Sequence, residues 1–416
     1  MIPRSVCATL AFVGLLLAHA RAQQPSFRAT VDLIAVDAQV VDSRGEPVLS
    51  LGPSDFEVTL DGRRRRVVSA DVVEFGEHNG PGALGEPGSV RATTREGRIF
   101  IVAVDASSFE VGAARAPLEA AQAFVSRLAS NDYVGLYTYP NGPQVVPSLD
   151  RVMVRQGLGR VTGERMAFGG LFNLKPSEIV DITAMSGARP GSLSARAIIA
   201  VGPAISPEID PVGAVQQREC PDDGQCASRI VSEASAMAMH LEAQAARSLG
   251  GLSHLLQVVS GLPGRKTVVL ITGGVTVSDR PGGRPDVGDL STAMGQVAAR
   301  SHATLYTIHI DDTFTGAYAA AGRRVGDVER HRDRAMSADW LDRFSAAAGG
   351  SRIAVPVGSG AFAFDRILRE TAALYLLGVE PQEDDRDGRP RQLRVRVTGA
   401  GARGATVRHR QWVEVR

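Results

Sequence analysis

Residues 98–109 read Arg-Ile-Phe-Ile-Val-Ala-Val-Asp-Ala-Ser-Ser-Phe. The unbroken apolar run at 99–104 predicts a strand buried on both faces, as the strands of a parallel sheet are. It ends in Asp105 and Ser107, an oxygen-rich turn at the carboxyl end of the strand, where open α/β sheets place ligands. Outward from this strand, residues 113–129 fit a helix with Leu118, Ala121, Phe124, Val125 and Leu128 on one face. Residues 132–139 give a second strand. Strand, helix, strand in that order implies a parallel sheet with helices on both faces. The alternation continues with strands at 267–272, 304–310 and 353–357 and helices at 227–259, 290–301, 338–348 and 361–374.

The flanks have a different period. Residues 27–75 alternate as β structure, with a hairpin signal at Asp61-Gly62. Arg63 to Arg66 read as the exposed start of the next strand. Residues 76–97 are rich in Gly, Pro, Glu and Thr and read as a linker. Strands are also predicted at 375–379, 392–397 and 406–415. The last two form a ribbon that is not stable alone, so it is expected to pack on the N-terminal β module. Residues 145–225 read as helices and loops inserted into the α/β part. The fold class is therefore α/β, with a small β-sandwich-like module made by the two ends of the chain. The expected divisions are 1–22, 23–75, 76–97, 98–380 and 381–416.

The chain has 416 residues, 44% apolar and 22% charged, with a net charge of +1. No global field draws it to nucleic acid or to an anionic membrane. Arg4 followed by an apolar run to Ala18 reads as a leader, with Ala20-Arg21-Ala22 as a cleavage site before Gln23. The run is too short for a stable membrane anchor. Localisation is thus expected to be periplasmic or secreted. In that setting Cys220 and Cys226 read as a disulfide, with Pro221 and Gly224 suited to its tight loop.

Four segments together resemble the exported von Willebrand factor A-related proteins of the acidobacterial type. They are 31–36 with 55–58 and 61–62; 100–107; 262–270 (Leu-Pro-Gly-Arg-Lys-Thr-Val-Val-Leu); and 349–350 with 375–379 and 387–389. The resemblance implies a Rossmann-like A domain flanked by β structure. It also implies a metal-ion-dependent adhesion site, Asp-x-Ser-x-Ser, completed by a loop Thr and by an Asp after a later strand. Asp105 and Ser107 match that pattern. Phe109 stands at the third position, and Gly273 stands where the later Asp is expected; no loop Thr is identifiable. The metal reading is therefore a degenerate site of Asp105 and Ser107, helped by Ser108 or Asp279, holding Mg²⁺ or Mn²⁺ weakly.

No catalytic or dinucleotide-binding constellation is evident. The sequence reading is an exported, non-enzymatic protein-binding module whose partner is a protein at the top of the sheet. Two alternatives stand beside it. One is a metal-dependent hydrolase using Asp105, His309 and Asp311 at strand ends, against which His309 also reads as a packed strand residue. The other is an envelope scaffold assembled through its β ends.

Overall fold

A computed structural model describes residues 33–75, 91–93, 97–166, 170–187, 210–286, 294, 297–298, 301–311, 327–399 and 404–415. The leader and its cleavage site, Ala22 and Gln23, lie outside the described residues, as does most of the helix expected at 290–301.

A six-stranded sheet is built from β6 (Ile99–Asp105), β7 (Tyr133–Tyr139), β8 (Gln144–Ser148), β9 (Lys266–Thr272), β10 (Ala303–Asp311) and β11 (Arg352–Pro356). The spatial order is β11-β10-β9-β6-β7-β8, and every pairing except β7 with β8 is parallel. In order of appearance this is the doubly wound 3-2-1-4-5-6 arrangement, which reverses direction between β6 and β9. Alternation along β6 fills both faces. Phe100, Val102 and Val104 meet α1 (Arg115–Arg127), α2 (Arg151–Leu158) and α7 (Ala361–Glu370) through Phe124, Leu158 and Phe364. Ile101 and Ala103 meet α5 (Cys226–Ser260) and α6 (Asp327–Ala347) through Leu252, Leu256 and Phe344.

Residues 145–225 divide differently from the expectation. β8 is the antiparallel edge of the main sheet, and α2 packs on the same face as α1. Pro147 sits in β8 because only an edge strand tolerates a missing N–H donor. Among the described residues, the helical remainder consists of α3 (Pro176–Gly187) and α4 (Pro211–Glu219), which bury Ile179, Ile182 and Val215 against the N-terminal half of α5. Cys220 and Cys226 are joined as a disulfide at the start of α5.

At 35 residues, α5 is roughly 52 Å long, more than twice the length of the strands it covers. Only its C-terminal half lies on the sheet. The rest projects past the carboxyl edge and carries α3 and α4 with it.

The β part comprises two further sheets. β1 (Ile34–Val41), β4 (Val67–Glu74), β5 (Arg91–Thr93), β12 (Ala373–Val379) and β14 (Thr406–His409) form one, in the order β14-β1-β12-β4-β5. β2 (Phe56–Leu60), β3 (Arg63–Arg65), β13 (Pro390–Val397) and β15 (Trp412–Glu414) form the other, in the order β15-β13-β2-β3. Val36, Ala38, Val72 and Leu377 from the first share one core with Phe56, Val58, Leu393 and Val395 from the second.

Three details depart from the sequence reading. The expected C-terminal ribbon is kept only in part: β15 pairs with β13, whereas β14 leaves it to join β1 in the other sheet. The helix expected to reach 374 ends at Glu370, and β12 lies between β1 and β4, so it belongs to the β part. Arg65 is not exposed; its Nε and Nη2 each donate to Asp385 at 2.7 Å, with both side chains sealed from solvent.

Candidate functional site

The carboxyl ends of β6 and β9 flank the reversal point of the sheet and face the middle of α5. Asp105 ends β6 and is fully buried. Its Oδ1 accepts from the Ser107 hydroxyl at 2.7 Å. Its Oδ2 accepts from Thr272 Oγ1 at 3.1 Å and from the Ser248 hydroxyl of α5. Burial raises the Asp105 carboxyl above its ordinary value, although the bonds from Ser248, Ser107 and Thr272 pull the other way.

A second layer of bonds fixes these donors. The Ser108 hydroxyl donates to the Asp105 carbonyl at 2.7 Å and accepts from the Gly273 N–H at 2.8 Å. The Gly274 N–H donates to Thr272 Oγ1 at 3.0 Å. Gln244, one helical turn before Ser248, donates to the Ser107 carbonyl at 3.3 Å. Segment 161–166 crosses outside this turn, with Glu164 N bonded to Ala106 O and Arg165 N bonded to Phe109 O.

The two departures from the adhesion-site pattern have physical causes. Phe109 is buried in the core with Leu118 and Phe124, so the third motif position points away from the carboxylate. A Cβ at Gly273 would lie 2.4 Å from the Ser108 carbonyl oxygen, so no carboxylate-bearing residue fits there on this backbone. Asp279, named in sequence as a helper, is held instead by Arg332 at 2.8 Å. The donors around Asp105 are all oxygens, the type that hard cations prefer, but only one carries charge. Ser107, Ser108, Ser248 and Thr272 are each at most 4% exposed. Mg²⁺ usually keeps several waters, which so closed a cage does not admit. The residues present therefore fit this ion poorly.

His309 reaches the same neighbourhood but is engaged on both sides. Its Nε2 lies 3.2 Å from the Gly273 carbonyl and its Nδ1 3.2 Å from Arg352 Nη1. A carbonyl only accepts and a guanidinium only donates, so the ring is the neutral Nε2–H tautomer. Asp311 is turned to Arg334 on α6 at 2.9 Å. The structure thus gathers Asp105, Ser107 and Ser108 into one cluster, sets His309 at its edge and takes Asp311 and Asp279 elsewhere.

Sequence reasoning missed Ser248, Gln244 and Thr272. The one available signal was Gly250-Gly251 within a long helix. A Cβ at Gly251 would fall 2.1 Å from the Tyr139 ring, so glycine lets α5 close onto the strand ends and deliver Ser248. Among known proteins, no family model matches the chain, and a search of curated proteins finds no match.

Proposed function

We propose that this chain is an exported, non-enzymatic protein-binding module built on a von Willebrand factor A-like domain. In this reading the Asp105 cluster is a latch of hydroxyls where a metal-ion-dependent adhesion site would otherwise lie. The observation that carries the reading is the saturation of the Asp105 carboxylate by Ser107, Ser248 and Thr272, two of them distant in sequence. The latch ties the β6 turn, the β9 turn and α5 into one rigid platform. Mg²⁺ or Mn²⁺ then binds no more tightly than the millimolar range.

The contact surface is the carboxyl face of the sheet with the helical unit standing on it. Val111, Met166 and Leu171 project from segments that border this face, at 77%, 78% and 78% exposed. Large apolar side chains held this far into solvent suit a protein partner.

Photocrosslinkers placed at Val111 and Leu171 should capture partner protein, whereas one at Val68 on β4 should not. Titration of the EDTA-treated protein with Mg²⁺ and Mn²⁺ should give no tight binding in the wild type or in Asp105→Ala. Crosslinking only from Val68 would sink the surface assignment. Tight binding lost in Asp105→Ala would restore a working metal site.

A further inference from the structure

The two short helices carried by α5 are fastened in different ways. α3 is anchored outside the helical unit. Its Asp181 accepts from both Nη atoms of Arg332 on α6 at 2.8 Å. The Ser177 N–H donates to Asp333 of α6 at 2.8 Å, and the Thr183 hydroxyl accepts from the Arg284 N–H at 2.9 Å. α4 has nine residues, too few for a helix to stand alone in water. Of these only Pro211 and Val215 are buried. Arg218 donates to Glu178 of α3 at 3.1 Å, and the Gln216 side chain donates to the Asp223 carbonyl at 3.3 Å. A covalent link completes the set: Cys220, directly after α4, is bonded to Cys226, the first residue of α5.

Val215 plugs a small apolar core. Ile179 and Ile182 of α3 and Cys226, Ile230 and Ala234 of α5 share that core with it, each at most 1% exposed. It is separate from the two cores that cover the faces of the main sheet. The two sulfurs also differ in access. Cys226 is fully buried, whereas Cys220 is half-buried and is followed by the exposed Pro221 and Asp222. An attacking thiolate therefore meets the Cys220 sulfur first.

We propose that the Cys220–Cys226 disulfide is a redox-sensitive tether, whose reduction releases α4 while α3, α5 and the main sheet keep their places. The reductant is a dithiol. One of its thiolates attacks the Cys220 sulfur, the S–S bond breaks, and Cys226 leaves as a thiolate and takes up a proton. The second thiol of the reductant then displaces Cys220. The protein gains two electrons and two protons, and the dithiol becomes a disulfide. Cys220 and Cys226 are six residues apart, so the closed loop keeps α4 beside the start of α5. Without it, two buried side chains do not offset the entropy of ordering nine residues. Release of Val215 bares Ile179, Ile182 and Ile230, an apolar trough that the oxidised chain hides.

Hydrogen exchange of the full chain, read by mass spectrometry with and without dithiothreitol, tests this. On reduction, exchange over 211–219 should rise at least about tenfold and an apolar dye should bind, while exchange over 99–105 and 266–272 stays unchanged. The double variant Cys220→Ser, Cys226→Ser should behave without reductant as the reduced chain does. A disulfide that resists dithiothreitol in the folded chain overturns the proposal. So does unchanged exchange over 211–219 once alkylation shows two further thiols, or a rise that spreads equally to 99–105. Should the double variant fold poorly, the reduced wild type decides on the same segments.

Discussion

Asp105 and Asp385 are the same residue under the same burial, at 0% and 1% exposed, yet their surroundings push them in opposite directions. At the top of the main sheet Asp105 receives only neutral donors, three hydroxyls and the Ser107 N–H, and burial raises its carboxyl. In the β part, Asp385 receives the fork of Arg65, whose hydrogen bond holds its carboxyl below the ordinary value despite burial. A neutral donor offsets part of the desolvation of an anion; a guanidinium offsets it with charge as well. The α/β part thus stores an anion that would accept a proton readily, and the β part stores one that would not.

The contrast can be broken most forcefully at Arg65. Arg65→Met leaves Asp385 buried with Arg391 no closer than 3.8 Å, and should cost about 3–5 kcal/mol in urea unfolding. Adding Asp385→Leu should recover most of that loss. A single variant costing under about 1 kcal/mol would mean that the pair is not the keystone of the β part.

Phe109→Ser writes the missing hydroxyl into the third motif position. Because that side chain is core, stability should fall by about 3 kcal/mol, and Mg²⁺ affinity should not tighten. Tighter Mg²⁺ binding in calorimetry would show that the turn can reorganise around a cation.

The smallest effect is in pH. Asp105 has a raised folded value, so its contribution is fully present below the ordinary carboxylate range and is lost as pH rises through the folded value. Asp385 has a lowered folded value, so its contribution is present above that range and is lost as pH falls through the folded value. As pH rises above the ordinary carboxylate range, Asp105→Asn should therefore gain on wild type in urea unfolding. Asp385→Asn should lose ground on the other side, as pH rises from the lowered folded value to the ordinary carboxylate range. Parallel curves for the two variants would erase the distinction.

The main sheet was legible because buried parallel strands are written as unbroken apolar runs, and 99–104 and 268–271 are such runs. Asp105 was legible because it terminates one of them. Its partner Ser248 was not: a serine inside a helix rich in Ala, Met and Leu carries no local mark, and it lies 143 residues away. The edge strand β8 was hidden by its proline. Arg65 was hidden by its neighbours, since four consecutive arginines look uniform until the fold seals one of them. The split of 406–414 between two sheets was also unreadable, because the turn that separates β14 from β15 gives no sign that the strands part company.

That split bears on the order in which the molecule can assemble. β1 lies between β12 and β14, and the Leu51 N–H waits for the hydroxyl of Tyr375, 324 residues further on. The main sheet can form once residue 356 has been made, while β1 still lacks both its neighbours and β2 has only β3. Contacts so distant close slowly. The β part therefore works as a late clasp: its opening half is synthesised first and is fastened last, by residues 373–414.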